Sequence, residues 1–238
     1  MPQPKTLAPD LWVFDQPDFN PGVGKIGTRM TVIRLPGGGL FLHSPIRLDE
    51  ETKAALDSLG EVHAIVAPSR AHHLFVGDYA KAWPSAKLHA APGIAGEIRD
   101  LRAWFGARRD LKFDSILGDE PHPDWAGAIE QHLFRGASAL NEVVFFHPAA
   151  RTLIFTDLAF NLPADFLGPR FFFRLRGTLG HFGPDGLIRL VIRDRAAARE
   201  SVARILKWDF DRVIVAHGDI VESGGHAKVE AGFAFLQR

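Results

Sequence analysis

The stretch Val62-His63-Ala64-Ile65-Val66-Ala67-Pro68-Ser69-Arg70-Ala71-His72-His73-Leu74-Phe75-Val76-Gly77-Asp78 passes from a compact β-branched run straight into polar, histidine-bearing sequence. Residues 62–67 have the length and composition of a buried strand, and Pro68 closes it. Working outward, residues 11–14, 30–35 and 40–43 read as strands, the last two joined as a hairpin through the turn Gly37-Gly38-Gly39. Asp49 caps a helix with Ala54, Ala55 and Leu59 as its apolar positions and Gly60 as its end. Residues 74–83 are helical and stop before Pro84, and 88–91 form another strand.

The second half repeats this style. Residues 129–134, 142–147 and 152–155 are closely spaced strands. Residues 158–180, with Pro163, Pro169 and the triplet Phe171-Phe172-Phe173, fit no single class. Residues 196–207 are helical, with Ala198, Val202, Ile205 and Leu206 on one face. A short strand at 213–216 runs into His217-Gly218-Asp219, and a helix at 227–236 follows. Two β-rich halves, each finished by helices, predict an α/β sandwich of two sheets with helices outside. No low-complexity linker separates them, so residues 1–238 read as one domain.

Lys+Arg and Asp+Glu both number 28, which argues against a nucleic-acid partner held by bulk charge. There is no cysteine, which excludes disulfides, thiolate nucleophiles, iron–sulfur clusters and cysteine-ligated zinc. No long apolar stretch follows Met1-Pro2-Gln3-Pro4-Lys5, and no window has membrane-span length, so the expectation is a cytoplasmic protein with no membrane partner.

Most of the 11 histidines have ordinary readings. His63, His89 and His132 lie in strand patterns as packed or half-exposed residues, and His122, His181 and His226 sit near Pro or Gly as solvated ones. Ser69 lacks a Gly-x-Ser-x-Gly context and is a turn serine, while the triple glycine lacks the Lys-Ser/Thr ending of a phosphate loop. Arg108-Arg109 and Arg193-Asp194-Arg195 read as surface charge, and the aromatic and basic run at 170–176 as core with a solvated edge. Three strand ends differ, because polar sequence follows each at once: the segment 67–78 with His72, the pair Thr156-Asp157, and His217-Gly218-Asp219. Two imidazoles and a carboxylate held on rigid strand ends suit zinc, iron or manganese. Asp157 alone also reads as a helix N-cap, and His-Gly-Asp alone as a turn.

On these residues the chain resembles the metallo-β-lactamase fold, a four-layer αββα sandwich, and within it a divergent bacterial group carried as a domain of unknown function. Leu40-Phe41-Leu42-His43-Ser44-Pro45 sits where the superfamily has a strand followed by Asp-x-Gly, and residues 67–77 where it has Thr-His-x-His-x-Asp-His-x-Gly. Thr156-Asp157 matches the strand ending in a bridging aspartate, and Ala216-His217-Gly218 the terminal Gly-His-Gly. In register, the hallmark's ligands fall on Arg70, His72, Leu74 and Phe75, and Gly136–Glu142 lacks the expected histidine. Of seven ligand positions only His72, Asp157 and His217 survive, which excludes the usual two-metal centre and leaves one metal.

The resemblance implies a metal-dependent hydrolase acting on a small-molecule ester, lactone, thioester or phosphoester. His72 and His217 are its ligands, and Asp157 is a ligand or water-orienting base. His73 or Glu142 supplies an additional ligand by moving into a vacated position. Arg70 either replaces a missing cation, neutralising Asp157 or clamping a substrate anion, or points to solvent. The reading of the other class is a metal-free binding or scaffolding protein, favoured by the apolar Leu74 and Phe75. A redox role with iron at the same residues is a third expectation with no positive feature behind it.

Overall fold

The computed structural model describes residues 4–22, 24–94 and 111–237, the side chains of residues 170 and 172 excepted. Met1 to Gln3 and the pair Arg108-Arg109 lie outside them. The first sheet runs β1 (Lys5–Ala8), β2 (Leu11–Gln16), β3 (Thr28–Arg34), β4 (Leu40–His43), β5 (Val62–Ala67), β6 (Lys87–Ala90) and β7 (Ser115–Ile116) in that spatial order. Its pairs are antiparallel up to β4 and parallel from β4 onward. The change comes where α1 (Glu50–Leu59) and α2 (Val76–Ala82) enter as crossovers, since parallel neighbours need a long return path.

The second sheet contains β8 (Glu130–Leu133), β9 (Val143–His147), β10 (Thr152–Ile154) and β11 (Arg212–Ile214), in the order β11-β10-β9-β8. Only its β10–β11 pair is parallel. Between β10 and β11 the chain forms α3 (Arg170–Leu175), α4 (Gly186–Val191) and α5 (Arg195–Ile205), and α6 (Gly225–Phe233) follows β11. Both sheets are therefore mixed, with helices flanking them.

Side-chain alternation explains the layering. In β9, Val143 and Phe145 join the core shared with the first sheet, while Val144 and Phe146 belong to the core under α5 and α6. Phe145 meets Phe41 of the first sheet at 5.5 Å between ring centres, and Phe41 meets Trp125 at 5.0 Å. Burying such a side chain contributes about 1.5–3 kcal/mol, so this layer outweighs any one helix cap at about 1 kcal/mol.

The caps nonetheless set where helices start. Asp49 Oδ1 accepts from the Thr52 N–H at 2.7 Å and opens α1, as expected, but the buried face carries Thr52 and Leu56 rather than Ala54. Two further caps lie between β10 and β11. Residues 186–191 form a helix opened by Asp185, whose buried carboxylate accepts from the Ile188 N–H. Asp194, read as surface charge, caps α5 by accepting from the Ala197 N–H.

His43, at the end of β4, is buried against Phe145 at 5.2 Å. Burial holds its imidazole at about 3 against an ordinary 6.5, with the charge of His72 acting the same way. The unfolded chain takes up this proton below 6.5 and the folded chain does not, so His43 favours the fold above 6.5 and disfavours it as pH falls toward 3. Between pH 7 and pH 4.5 it is expected to remove about 2–3 kcal/mol of stability, which His43→Leu abolishes. Urea unfolding at the two pH values checks this, and an equal loss in the variant refutes it.

Candidate metal centre

His72 lies in the loop after β5, Asp157 just beyond β10, and His217 just beyond β11. The structure brings these three together. His72 Nε2 is 3.3 Å from Asp157 Oδ2, and His217 Nε2 is 3.2 Å from Asp157 Oδ1. The side chains are 8%, 15% and 4% exposed respectively, so the group opens only narrowly to solvent.

Each imidazole is held from behind. His217 Nδ1 is 2.7 Å from the Gly27 carbonyl oxygen. A carbonyl only accepts, so Nδ1 carries the hydrogen and Nε2 faces Asp157. Arg29 fixes the same loop, donating to the carbonyls of Val215 and Gly218 at 2.7 and 2.9 Å while pairing with Asp15. Ser44 Oγ lies 2.6 Å from His72 Nδ1. Ser44 is buried with φ +57, a left-handed conformation uncommon outside glycine, and that turn is where the chain leaves β4. Burial alone pushes the Asp157 carboxyl up, but the charges and hydrogen bonds of His72 and His217 outweigh it and hold it well below the usual carboxylate range.

The other expected residues stand elsewhere. Glu142 offers no ligand: its carboxylate oxygens accept from the N–H groups of Thr156 at 2.6 Å and Leu158 at 2.8 Å. It brackets Asp157 in the chain and so positions it. Burial pushes Glu142 up to about 8, against the pull of the Thr156 and Leu158 donors. His73 is buried and is not one of the three residues that come together, and burial lowers its imidazole. Arg70 neither neutralises Asp157 nor faces the cavity. Its guanidinium donates to the Ser138 carbonyl at 3.3 Å and lines a separate depression with Asn141 and Arg193. The physical reason is that His72 and His217 already compensate Asp157.

Gly27, Arg29 and Ser44 were not singled out from the sequence. Only Ser44 carried a signal, its place after the strand at residues 40–43.

A second group, His89, His122 and Asp124, also has ligand atoms within 4.8 Å of one another. His122 is thus half-buried rather than solvated, packed on His89 and Trp125. Lys87 donates to both Asp124 oxygens at 3.0 Å, which already supplies that carboxylate with a cation. Among the described residues no helix is long and apolar enough to cross a membrane.

A cavity of about 430 Å³ opens over His72, Asp157 and His217. Its walls come from both sheets' loops and from α3 and α4, and they are mostly apolar.

Solved structures of the same architecture include a metallo-β-lactamase from Pontibacter korlensis, 12% identical over 100% of both chains with a TM-score of 0.66. One from Hirschia baltica is 15% identical over 100% of this chain and 98% of that chain, with a TM-score of 0.65. The metal-soaked Flv1 flavodiiron core from Synechocystis sp. PCC6803 is 11% identical over 99% of this chain and 60% of that chain, with a TM-score of 0.63. At such identities the likeness establishes the metallo-β-lactamase fold and nothing of the chemistry. No curated protein matches the chain. The family model described as a domain of unknown function, DUF4336, matches residues 9–169, a span that runs through the loop of His72 and the turn of Asp157. The chain belongs to the DUF4336 family and carries it on a metallo-β-lactamase fold.

Proposed function

We propose that the protein is a metal-dependent hydrolase with a single divalent ion, zinc first and iron or manganese next, held by His72, Asp157 and His217. The observation that carries this is the meeting of nitrogen and oxygen ligand atoms. With Nδ1 of His217 turned to Gly27, its Nε2, the Nε2 of His72 and both Asp157 oxygens converge at 3.2–3.3 Å, a nitrogen and oxygen set that a divalent ion can share in place of protons. Three nitrogen and oxygen ligands with one side open to a cavity match the donor set of a catalytic site.

An ion held there would supply Lewis acidity, lowering the pKa of bound water toward about 7 and polarising an acyl or phosphoryl oxygen. The chain's own residues do the rest. Gly27 and Ser44 orient the imidazoles, Glu142 holds the turn that carries Asp157, and Asp157 directs a water toward the substrate. The apolar walls keep bulk water out and strengthen these interactions.

Elemental analysis of protein purified without an affinity tag or chelator tests the reading. The expected result is close to one equivalent of zinc, iron or manganese, absent from the His72→Ala/His217→Ala double variant. No metal after incubation with excess of each ion overturns it and leaves a metal-free binding protein. Metal that persists in the double variant overturns it too, and moves the site to His89, His122 and Asp124.

A further inference from the structure

The cavity above the candidate centre has a composition that selects among substrates. Its lining is mostly apolar and includes Phe19, Leu74, Phe75, Phe160, Phe173 and Ile188. Phe160 stacks on His217 at 5.4 Å with the rings 15° apart, and Phe19 meets Phe75 edge-on at 6.1 Å. Aromatic faces therefore reach down to the polar floor. At about 430 Å³ the cavity falls in the range of roughly 300–1,000 Å³ usual for small-molecule sites.

Among the described lining residues the only guanidinium or ammonium group is that of Arg176. Its charge is compensated: it pairs with Asp185, whose side chain is 0% exposed, and it lies over the Phe173 ring. Asp185 in turn caps α4, so withdrawing Arg176 toward a ligand would leave a buried carboxylate without its cation. A phosphate ester would bring one or two negative charges beside Asp157, and among the described lining residues no arginine or lysine beyond the paired Arg176 is there to share them with the ion. At the mouth, Leu187 lines the cavity and is 51% exposed, and Leu190 on the same helix is 77% exposed.

We propose that the site takes an uncharged carboxylic ester, lactone or thioester with a bulky alkyl or aryl body, and not a phosphoester. The hydrolytic chemistry rests on the single-metal reading above. The body lies between Phe19, Phe75, Phe160 and Leu187, and the acyl carbon sits over Asp157. Hydrolysis then forms one bond from the water oxygen to the acyl carbon and breaks the acyl–oxygen or acyl–sulfur bond. One water proton passes to the leaving heteroatom and the other stays with the carboxylic acid.

Binding of methyl n-alkyl ketones, from 2-pentanone to 2-undecanone, tests this without turnover, because they are neutral ester mimics that cannot be hydrolysed. Calorimetric titration of the zinc-incubated and the chelator-treated protein is expected to show affinity rising about fourfold per methylene until the cavity is full. Leu187→Glu, at a half-exposed position that folding tolerates, is expected to weaken 2-undecanone at least tenfold and 2-pentanone little. Phe75→Ser gives the same reading from the inner wall. Octyl phosphate is expected to bind more weakly than 2-decanone. A flat series, or octyl phosphate binding tighter, overturns the proposal. A rising series in protein that takes up no metal upholds the cavity's selectivity while the hydrolase reading falls. Stoichiometric metal with a flat series does the reverse.

Discussion

Glu142→Ala is expected to cost about 3–5 kcal/mol of stability and to lower metal affinity 10–100-fold. Both carboxylate oxygens are buried and each accepts one backbone N–H, from Thr156 at 2.6 Å and Leu158 at 2.8 Å. Truncation leaves both donors buried without a partner, at about 1–3 kcal/mol each, and adds a cavity. The two donors flank Asp157, so the turn that aims its carboxylate loosens as well. Loss of a group that orients a ligand typically costs 10–100-fold in metal affinity. Glu142→Gln keeps one acceptor of nearly the same shape and is expected to lose less on both counts. Urea midpoints and competitive zinc titration of the three proteins check this. An alanine variant with a wild-type midpoint and wild-type zinc affinity would remove Glu142 from the site's support.

Gly218→Ala is expected to be still more damaging. Gly218 has φ +102, which alone disfavours any side chain by roughly 1 kcal/mol. A Cβ there would lie 2.3 Å from the Asn161 oxygen, 2.4 Å from its carbonyl carbon and 2.8 Å from the Leu162 nitrogen. All three are backbone atoms, so no rotamer change relieves the clash. The same segments are joined by hydrogen bonds from Asn161 N to the His217 carbonyl at 3.2 Å and from Asp219 N to the Asn161 carbonyl at 2.9 Å. Separating them displaces His217, and bound metal is expected to vanish along with a large drop in Tm. Gly224→Ala supplies the contrast: φ is +69 but nothing lies within 4 Å of the new Cβ, so only the conformational cost of about 1 kcal/mol applies. Equal Tm values for the two variants would refute the steric account.

Much of the fold was legible along the chain. Residues 40–43 and 62–67 are strands with the bounds read from the sequence, because their alternation and turn residues are local signals. Asp49 and Gly60 delimit α1 for the same reason, as short-range hydrogen bonds decide a cap. The three strand-end segments that carry His72, Asp157 and His217 stand out in the sequence too, since a buried strand followed at once by polar sequence is a local event, whereas the meeting of the three side chains is not.

The rest depended on partners far along the chain. Residues 68–75 and 136–142 lie outside regular structure, so no periodicity says where Arg70, His73 or Glu142 points. Arg70 is turned toward Ser138, 68 positions away, and Glu142 is held by donors 14 and 16 positions on. His217 takes its orientation from Gly27 across 190 positions, and its loop is clamped by Arg29 across 186 and 189. The local sequence determined the strands, the caps and the candidate ligands. Only the tertiary structure decided that Arg70 leaves the site, that Glu142 supports it, and that an apolar cavity covers it, because the direction of a loop side chain is set by hydrogen bonds and packing that its own neighbours in sequence do not contain.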